Sequence, residues 1–253
     1  MNRKFLIRAA GLAVAALTAV LAGPSLAADV PVAVAANFTE PAKEIAAAFE
    51  AKTHSHVALS FGSSGQFYTQ ISHGAPFEVF LSADADRPAQ AERDGLTVPG
   101  SRFTYAVGKL ALYSRTPGLV DNRGAVLKHG SFQKLAIADP AAAPYGAAAV
   151  ETMKRLGVYE ALQPRLVTGS SITQAFQFVQ TGAAELGFVA LSQVINVEGG
   201  SRWLVPEADH APIAQQAVLL KTGQADPAAS AFLAFLKGRE ARAIIKRYGY
   251  ADR

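Results

Sequence analysis

Short β-branched runs alternate with helix-period runs along most of this chain, and that alternation leaves few folds open. "VPVAVAA" (residues 30–36) reads as a buried strand. "TEPAKEIAAAFEAKT" follows, with Pro41 near a helix start and Ala42, Ile45, Ala46 and Phe49 on one stripe. "HVALSF" and "SSGQFYTQISHG" repeat the pair, as do "FEVFLSAD" and "ADRPAQAERDG", the last helix ending at Gly95. Repeated βα units argue for an α/β fold with mainly parallel sheets flanked by helices. "TYAVGKLALYS" (Thr104 to Ser114) breaks the rhythm as one long strand, and Gly108 within it suits a crossing between domains. The βα pattern then restarts through "KLAIADP", "RLVTG" and "AELGFVAL", and "APIAQQAVLLKTG" with two helices closes the chain. The expected division is residues 29–108 plus 194–253 as one lobe and residues 109–193 as the other.

Residues 1–28 stand apart. Arg3, Lys4 and Arg8 precede an uncharged, mostly apolar block from Ala9 to Gly23, and "PSLAAD" supplies small residues for cleavage near Ala27 or Ala28. This is the pattern of a secretory signal peptide, with an apolar block shorter than the roughly 20 residues that span a membrane. Of 24 basic and 20 acidic side chains, three basic ones fall in this leader, leaving 21 against 20. So even a balance argues against a nucleic-acid partner or a membrane-surface protein. Without any cysteine, the chain has no disulfides, no thiol chemistry and no lipoprotein anchor. The expected product is a soluble periplasmic monomer.

Four segments place a small or polar turn between a strand end and a helix start. They are "AANFTEP" (Ala35 to Pro41), "FGSSGQF" (Phe61 to Phe67), "ADPAAAPYGA" (Ala138 to Ala147) and "TGSSITQAF" (Thr168 to Phe176). Ligands of open α/β sheets sit beyond the carboxyl ends of the strands. A helix start offers unpaired N–H groups and the positive end of its dipole, which together hold an anion without a cation. Ser, Thr and Asn are also common simply as helix caps. Four turns, two in each lobe, favour a shared cleft. "GSSGQF" lacks the Lys and Ser/Thr of a phosphate loop, and Gly65 directly follows Ser64, which breaks the Gly-x-Ser-x-Gly spacing of a nucleophile elbow. A secreted hydrolase using Ser64 therefore has neither an elbow nor a recognisable base. "HSH" (His54 to His56) offers two histidines without a third metal ligand, and "SADAD" (Ser82 to Asp86) lacks the glycine and distal Glu of a calcium loop, so Asp84 and Asp86 read as helix caps.

Taken in order, "VAANFTEPAKEIAAAFE", "VALSFGSSGQFYTQISHGAPFEVFLSAD", "KLAIADPAAAPYG", "GFVALS" and "FLKGREARAIIKRYGY" resemble the periplasmic molybdate-binding proteins, the solute receptors of molybdate ABC transporters. The resemblance covers nearly all the chain after the leader. It implies a two-lobed periplasmic binding protein fold of type II with the oxyanion in the interlobe cleft. It also implies binding of molybdate, with tungstate as co-ligand, and delivery to a membrane permease; no catalysis and no cofactor are implied. Sulfate or another tetrahedral oxyanion is the alternative ligand. Carried over by position, Asn37 and its neighbour Ala36, Ser64, Tyr145 and Ile172 hold the oxyanion, molybdenum entering only as that ion. Ser63 either joins them or only caps its helix. Many relatives carry a Tyr hydroxyl where this chain has Ala190, and a Ser where it has Asn37. The donor set is expected to be rearranged, with the Asn37 amide and the Tyr145 hydroxyl supplying what those positions lack.

Overall fold

The computed structural model describes residues 29–251, so the leader lies outside the described residues. The first half runs β1 (Val30–Ala35), α1 (Thr39–Thr53), β2 (Val57–Gly62), α2 (Ser64–Ser72), β3 (Val79–Leu81), α3 (Asp86–Arg93) and β4 (Phe103–Gly108). The second runs β5 (Leu110–Ser114), α4 (Val126–His129), β6 (Leu135–Ala138), α5 (Pro144–Arg155), α6 (Tyr159–Leu162), β7 (Leu166–Gly169), α7 (Ile172–Thr181), β8 (Leu186–Ala190), α8 (Leu191–Val194) and β9 (Ser201–Leu204). β10 (Ile213–Leu219), α9 (Pro227–Leu236) and α10 (Arg239–Arg247) complete it.

Two five-stranded sheets result, ordered β2-β1-β3-β10-β4 and β7-β6-β8-β5-β9. Both follow one plan. β1 lies parallel between β2 and β3, and β6 lies parallel between β7 and β8. The remaining pairings, β3 with β10, β10 with β4, β8 with β5 and β5 with β9, are antiparallel. Each sheet is therefore evenly mixed rather than mainly parallel, because the strands that pass between the sheets run against the βα strands. β9 pairs with β5 in the second sheet although it lies past residue 193.

The stretch read as one long strand is two. β4 edges the first sheet, β5 belongs to the second, and Lys109 separates them. Gly108 is required at this crossing, since a Cβ there would lie 2.1 Å from the Tyr145 hydroxyl oxygen. The apolar stripe of α1 behaves as its spacing predicts: Ala42, Ile45, Ala46 and Phe49 are all buried, and Phe49 meets Phe232 of α9 edge to face at 5.3 Å. On the opposite face of that sheet Phe67 and Ile71 of α2 pack with Ala33 and Phe80, so β1 is covered on both sides. The second sheet builds its own core from Leu112, Leu135, Ile137 and Phe188 with Met153 of α5 and Val179 of α7.

Candidate functional site

All four strand–turn–helix segments meet at one small cavity between the lobes. Its walls are Ala35, Ala36, Asn37, Gly62, Ser63, Ser64, Ala143, Pro144, Tyr145 and Ile172, with Ala83 added from the turn after β3. The six residues singled out from the sequence thus share one wall system; Ala35, Gly62, Ala143 and Pro144 join them from the same segments, and Ala83 comes from outside those segments. Measured at the centre of a water-sized sphere, the free volume is about 10 Å³. The cavity is therefore small in this conformation.

The donors come from helix starts. Ser63 stands just before α2 in extended conformation, and its Oγ accepts from the Gln66 N–H at 3.4 Å. Ser171 does the same for α7, accepting from Gln174 N–H at 3.3 Å. Each cap satisfies the third N–H of its helix and leaves the earlier ones, at Ser64 and Ile172, without an intrahelical acceptor. α5 begins at Pro144, which has no N–H, so the first amide that helix offers is that of Tyr145. Three helix N-termini therefore aim main-chain donors at one space. The short 3-10 turn Ala36–Phe38 closes the fourth side.

Ser64 adds a hydroxyl with a fixed role. Its Oγ accepts from the Ala83 N–H at 2.9 Å, which leaves the hydroxyl hydrogen to donate. Ser63 Oγ caps α2 by accepting in the same way, so its hydroxyl hydrogen is likewise left to donate at the cavity wall. No lysine, arginine, histidine or carboxylate lines the cavity. An anion there would be held by neutral dipoles alone, and Ser64 has no base beside it that would make it a nucleophile.

Behind the cavity lies a buried polar network that sequence reasoning did not find. Asn37 Nδ2 donates to Gln215 Oε1 at 2.9 Å and to Tyr250 Oη at 3.0 Å, so both hydrogens of the amide are used within the protein. The Asn37 carbonyl accepts from Tyr250 Oη and from Ser192 Oγ, both at 2.8 Å. Tyr145 Oη accepts from Gln215 Nε2 at 3.2 Å, and Ala190 is buried at the end of β8 away from the cavity wall. The side chains expected to face the ligand, those of Asn37 and Tyr145, thus bond into this network, while their backbones border the cavity. Burial, above all, pushes the hydroxyls of Tyr105, Tyr145 and Tyr250 well up, so all three stay neutral donors. A sequence signal did exist: Gln215 falls in phase with buried Ile213 and Ala217 along β10.

The two lobes touch at the cavity's rim. The Gly65 N–H donates to the Ala142 carbonyl at 2.9 Å. Arg87 Nη2 donates to the Ala141 carbonyl at 2.7 Å while Nη1 pairs with Asp84. On the other side Thr173 Oγ1 reaches the Ala36 carbonyl at 3.4 Å. The other motifs are structural. His54 ends α1 in the left-handed region with φ 58°, His56 pairs with Asp29, and Asp84 Oδ1 accepts from the Arg87 N–H at the start of α3. Among the described residues no group of three or more His, Cys, Asp or Glu could hold a metal ion.

Residues 30–251 match the family described as bacterial extracellular solute-binding protein. The chain belongs to that family. Among its relatives, this solute-binding protein is 61% identical to the molybdate-binding protein ModA of Rhodobacter capsulatus, over 95% of each chain. It is 56% identical to the molybdate-binding protein ModA of Azotobacter vinelandii, over 94% of this chain and 96% of that one. The solved structure of an Azotobacter vinelandii periplasmic molybdate-binding protein superimposes with a TM-score of 0.86 at 43% identity, covering 88% of this chain and 99% of that one. These relatives are binding proteins rather than enzymes.

Proposed function

We propose that this solute-binding protein captures molybdate in its interlobe cavity and delivers it to a membrane permease of the ABC type. The observation that carries the reading is the convergence of three helix N-termini and the Ser64 hydroxyl on a compact cavity without a charged wall. The relatives named for molybdate binding support the choice of ion. The ligand contacts are the N–H groups of Ser64, Tyr145 and Ile172, the Ala36–Asn37 turn and the Ser64 hydroxyl. A hydrogen bond to a charged group contributes about 1.5–3 kcal/mol net. Several preorganised donors therefore reach the roughly 8 kcal/mol of a micromolar complex even after the cost of closure.

Donors without acceptors favour a fully deprotonated tetrahedral dianion. Because Ser64 Oγ already accepts from Ala83, a protonated phosphate would bring its own hydrogen to a site that offers only hydrogens. Tungstate, of the same shape and charge, is the co-ligand, and sulfate is the competitor that cavity size must reject. One lobe consists of β1 to β4 with β10, α9 and α10, the other of β5 to β9, and they close by a hinge at the crossing strands. The mature protein is a periplasmic monomer released by cleavage near Ala27 or Ala28, and its closed form docks on the permease. Calorimetric titration of the mature protein with molybdate, tungstate, sulfate and phosphate tests the reading. Tight binding of the first two alone is expected; preference for sulfate would assign a different oxyanion.

A further inference from the structure

Gln215 lines no part of the cavity and is fully buried, yet it touches both sides of it. Its Oε1 accepts from Asn37 Nδ2 at 2.9 Å and from Tyr105 Oη at 3.0 Å, both in the first lobe. Its Nε2 donates to Tyr145 Oη at 3.2 Å, at the start of α5 in the second lobe. A register irregularity supports this placement. Gln215 stands opposite Ala106 and Gln216 opposite Thr104, so Tyr105 is the extra residue of a bulge in β4. Bulges re-aim side chains, and here the Tyr105 hydroxyl is brought to Gln215 Oε1 and to the Ser82 carbonyl, next to the cavity residue Ala83.

We propose that Gln215 is a positioning residue of the anion site: its amide ties the Asn37 turn of one lobe to the Tyr145 helix start of the other, so that donor geometry and lobe closure are set together. The role rests on the oxyanion-binding reading above. One end of the side chain must accept and the other must donate, which a carboxamide does at this length at any pH and a carboxyl only while protonated. A buried network of this kind fixes a single arrangement only when every member is satisfied. The contact to Tyr145 is made across the lobes, beside the crossing at Gly108, where the hinge would turn. The titratable groups facing Gln215 are the hydroxyls of Tyr105 from β4 and Tyr145 from α5, with Tyr250 beyond Asn37 and Asp84 beyond Tyr105.

The test is Gln215→Glu in the full mature protein, titrated with molybdate between about pH 5.5 and about pH 9 beside the unsubstituted protein. A buried carboxyl is neutral at the acid end and charged at the alkaline end. Neutral, it keeps an acceptor toward Asn37; charged, it places an anion behind a dianion site. The variant should bind at least about tenfold more weakly at the alkaline end than at the acid end, while the unsubstituted protein stays flat. A flat profile for the variant, at native affinity or displaced from it, overturns the role, because mere loss of packing does not titrate. If that variant does not fold, Tyr145→Phe removes only the interlobe acceptor. It should speed molybdate release by at least about fivefold with little change in association rate. Unchanged release overturns the role. An unsubstituted protein that binds no oxyanion would instead overturn the functional reading, and the role with it.

Discussion

The amide nitrogen of Gly65 lies 2.9 Å from the carbonyl oxygen of Ala142, and that hydrogen bond joins the lobes one residue beyond the Ser64 donor. A Cβ on residue 65 would stand 3.0 Å from both the Cα and the carbonyl oxygen of Ala142, which are backbone atoms with little freedom to yield. Gly65→Ala should therefore hold the cleft ajar. The expected outcome is molybdate affinity lower by about tenfold, arising mostly from faster release, with the melting temperature of the unliganded protein nearly unchanged. Stopped-flow release and thermal unfolding check the two parts.

Arg87 supplies the neighbouring latch. Its guanidinium spans from Asp84, one residue past the cavity's Ala83, to the Ala141 carbonyl of the other lobe. Arg87→Lys keeps a charge but loses the two-pronged geometry. Release should accelerate about two- to fivefold for Lys and further for Ala, since a partly exposed polar contact contributes only modestly. Equal release rates for all three proteins would remove Arg87 from the closure.

Ser64→Ala deletes a side-chain donor at the cavity and leaves the Ala83 N–H without its acceptor. The loss of one hydrogen bond to a charged ligand predicts affinity lower by about ten- to a hundredfold, measured by calorimetry. Ser63→Ala removes both the α2 cap and a second hydroxyl at the cavity, so it should lower stability by about 1 kcal/mol and weaken affinity as well.

Away from the cleft, Glu78 provides a pH effect on stability. Desolvation first, with the nearby Asp226 carboxyl adding to it, pushes its carboxyl up to about 7, and its Oε2 is buried without a partner. A carboxyl raised on folding binds its proton more tightly in the folded state. It therefore contributes stability below the unfolded value of 4.5, and that stability is lost as pH rises toward about 7. Glu78→Gln should raise the melting temperature at pH 8, leave it nearly unchanged at pH 4, and flatten the slope between. Differential scanning calorimetry across that range reads the sign directly.

Much of the fold was legible because the βα alternation and the α1 stripe are local signals. The four turns were legible because a strand end, a Gly/Ser turn and a helix start sit together in sequence. What stayed hidden depends on pairing between distant segments. Lys109 divides one apolar run into β4 and β5 only because the two halves join different sheets. β9 is four residues long and gains strand character from lying beside β5. The Asn37 side chain reads as a ligand donor until Gln215 and Tyr250, 178 and 213 residues away, are seen to take both its amide hydrogens.

In the proposed complex, main-chain donors from three helix starts, with the Ser64 hydroxyl, hold the oxyanion. Crystals of the mature protein grown with molybdate locate the metal by its anomalous scattering. The expected result is one tetrahedral ion in the cavity, its oxygens about 2.7–3.1 Å from the nitrogens of Ser64, Tyr145 and Ile172 and from Ser64 Oγ. An ion held elsewhere, or bound through lysine or arginine side chains, would contradict it.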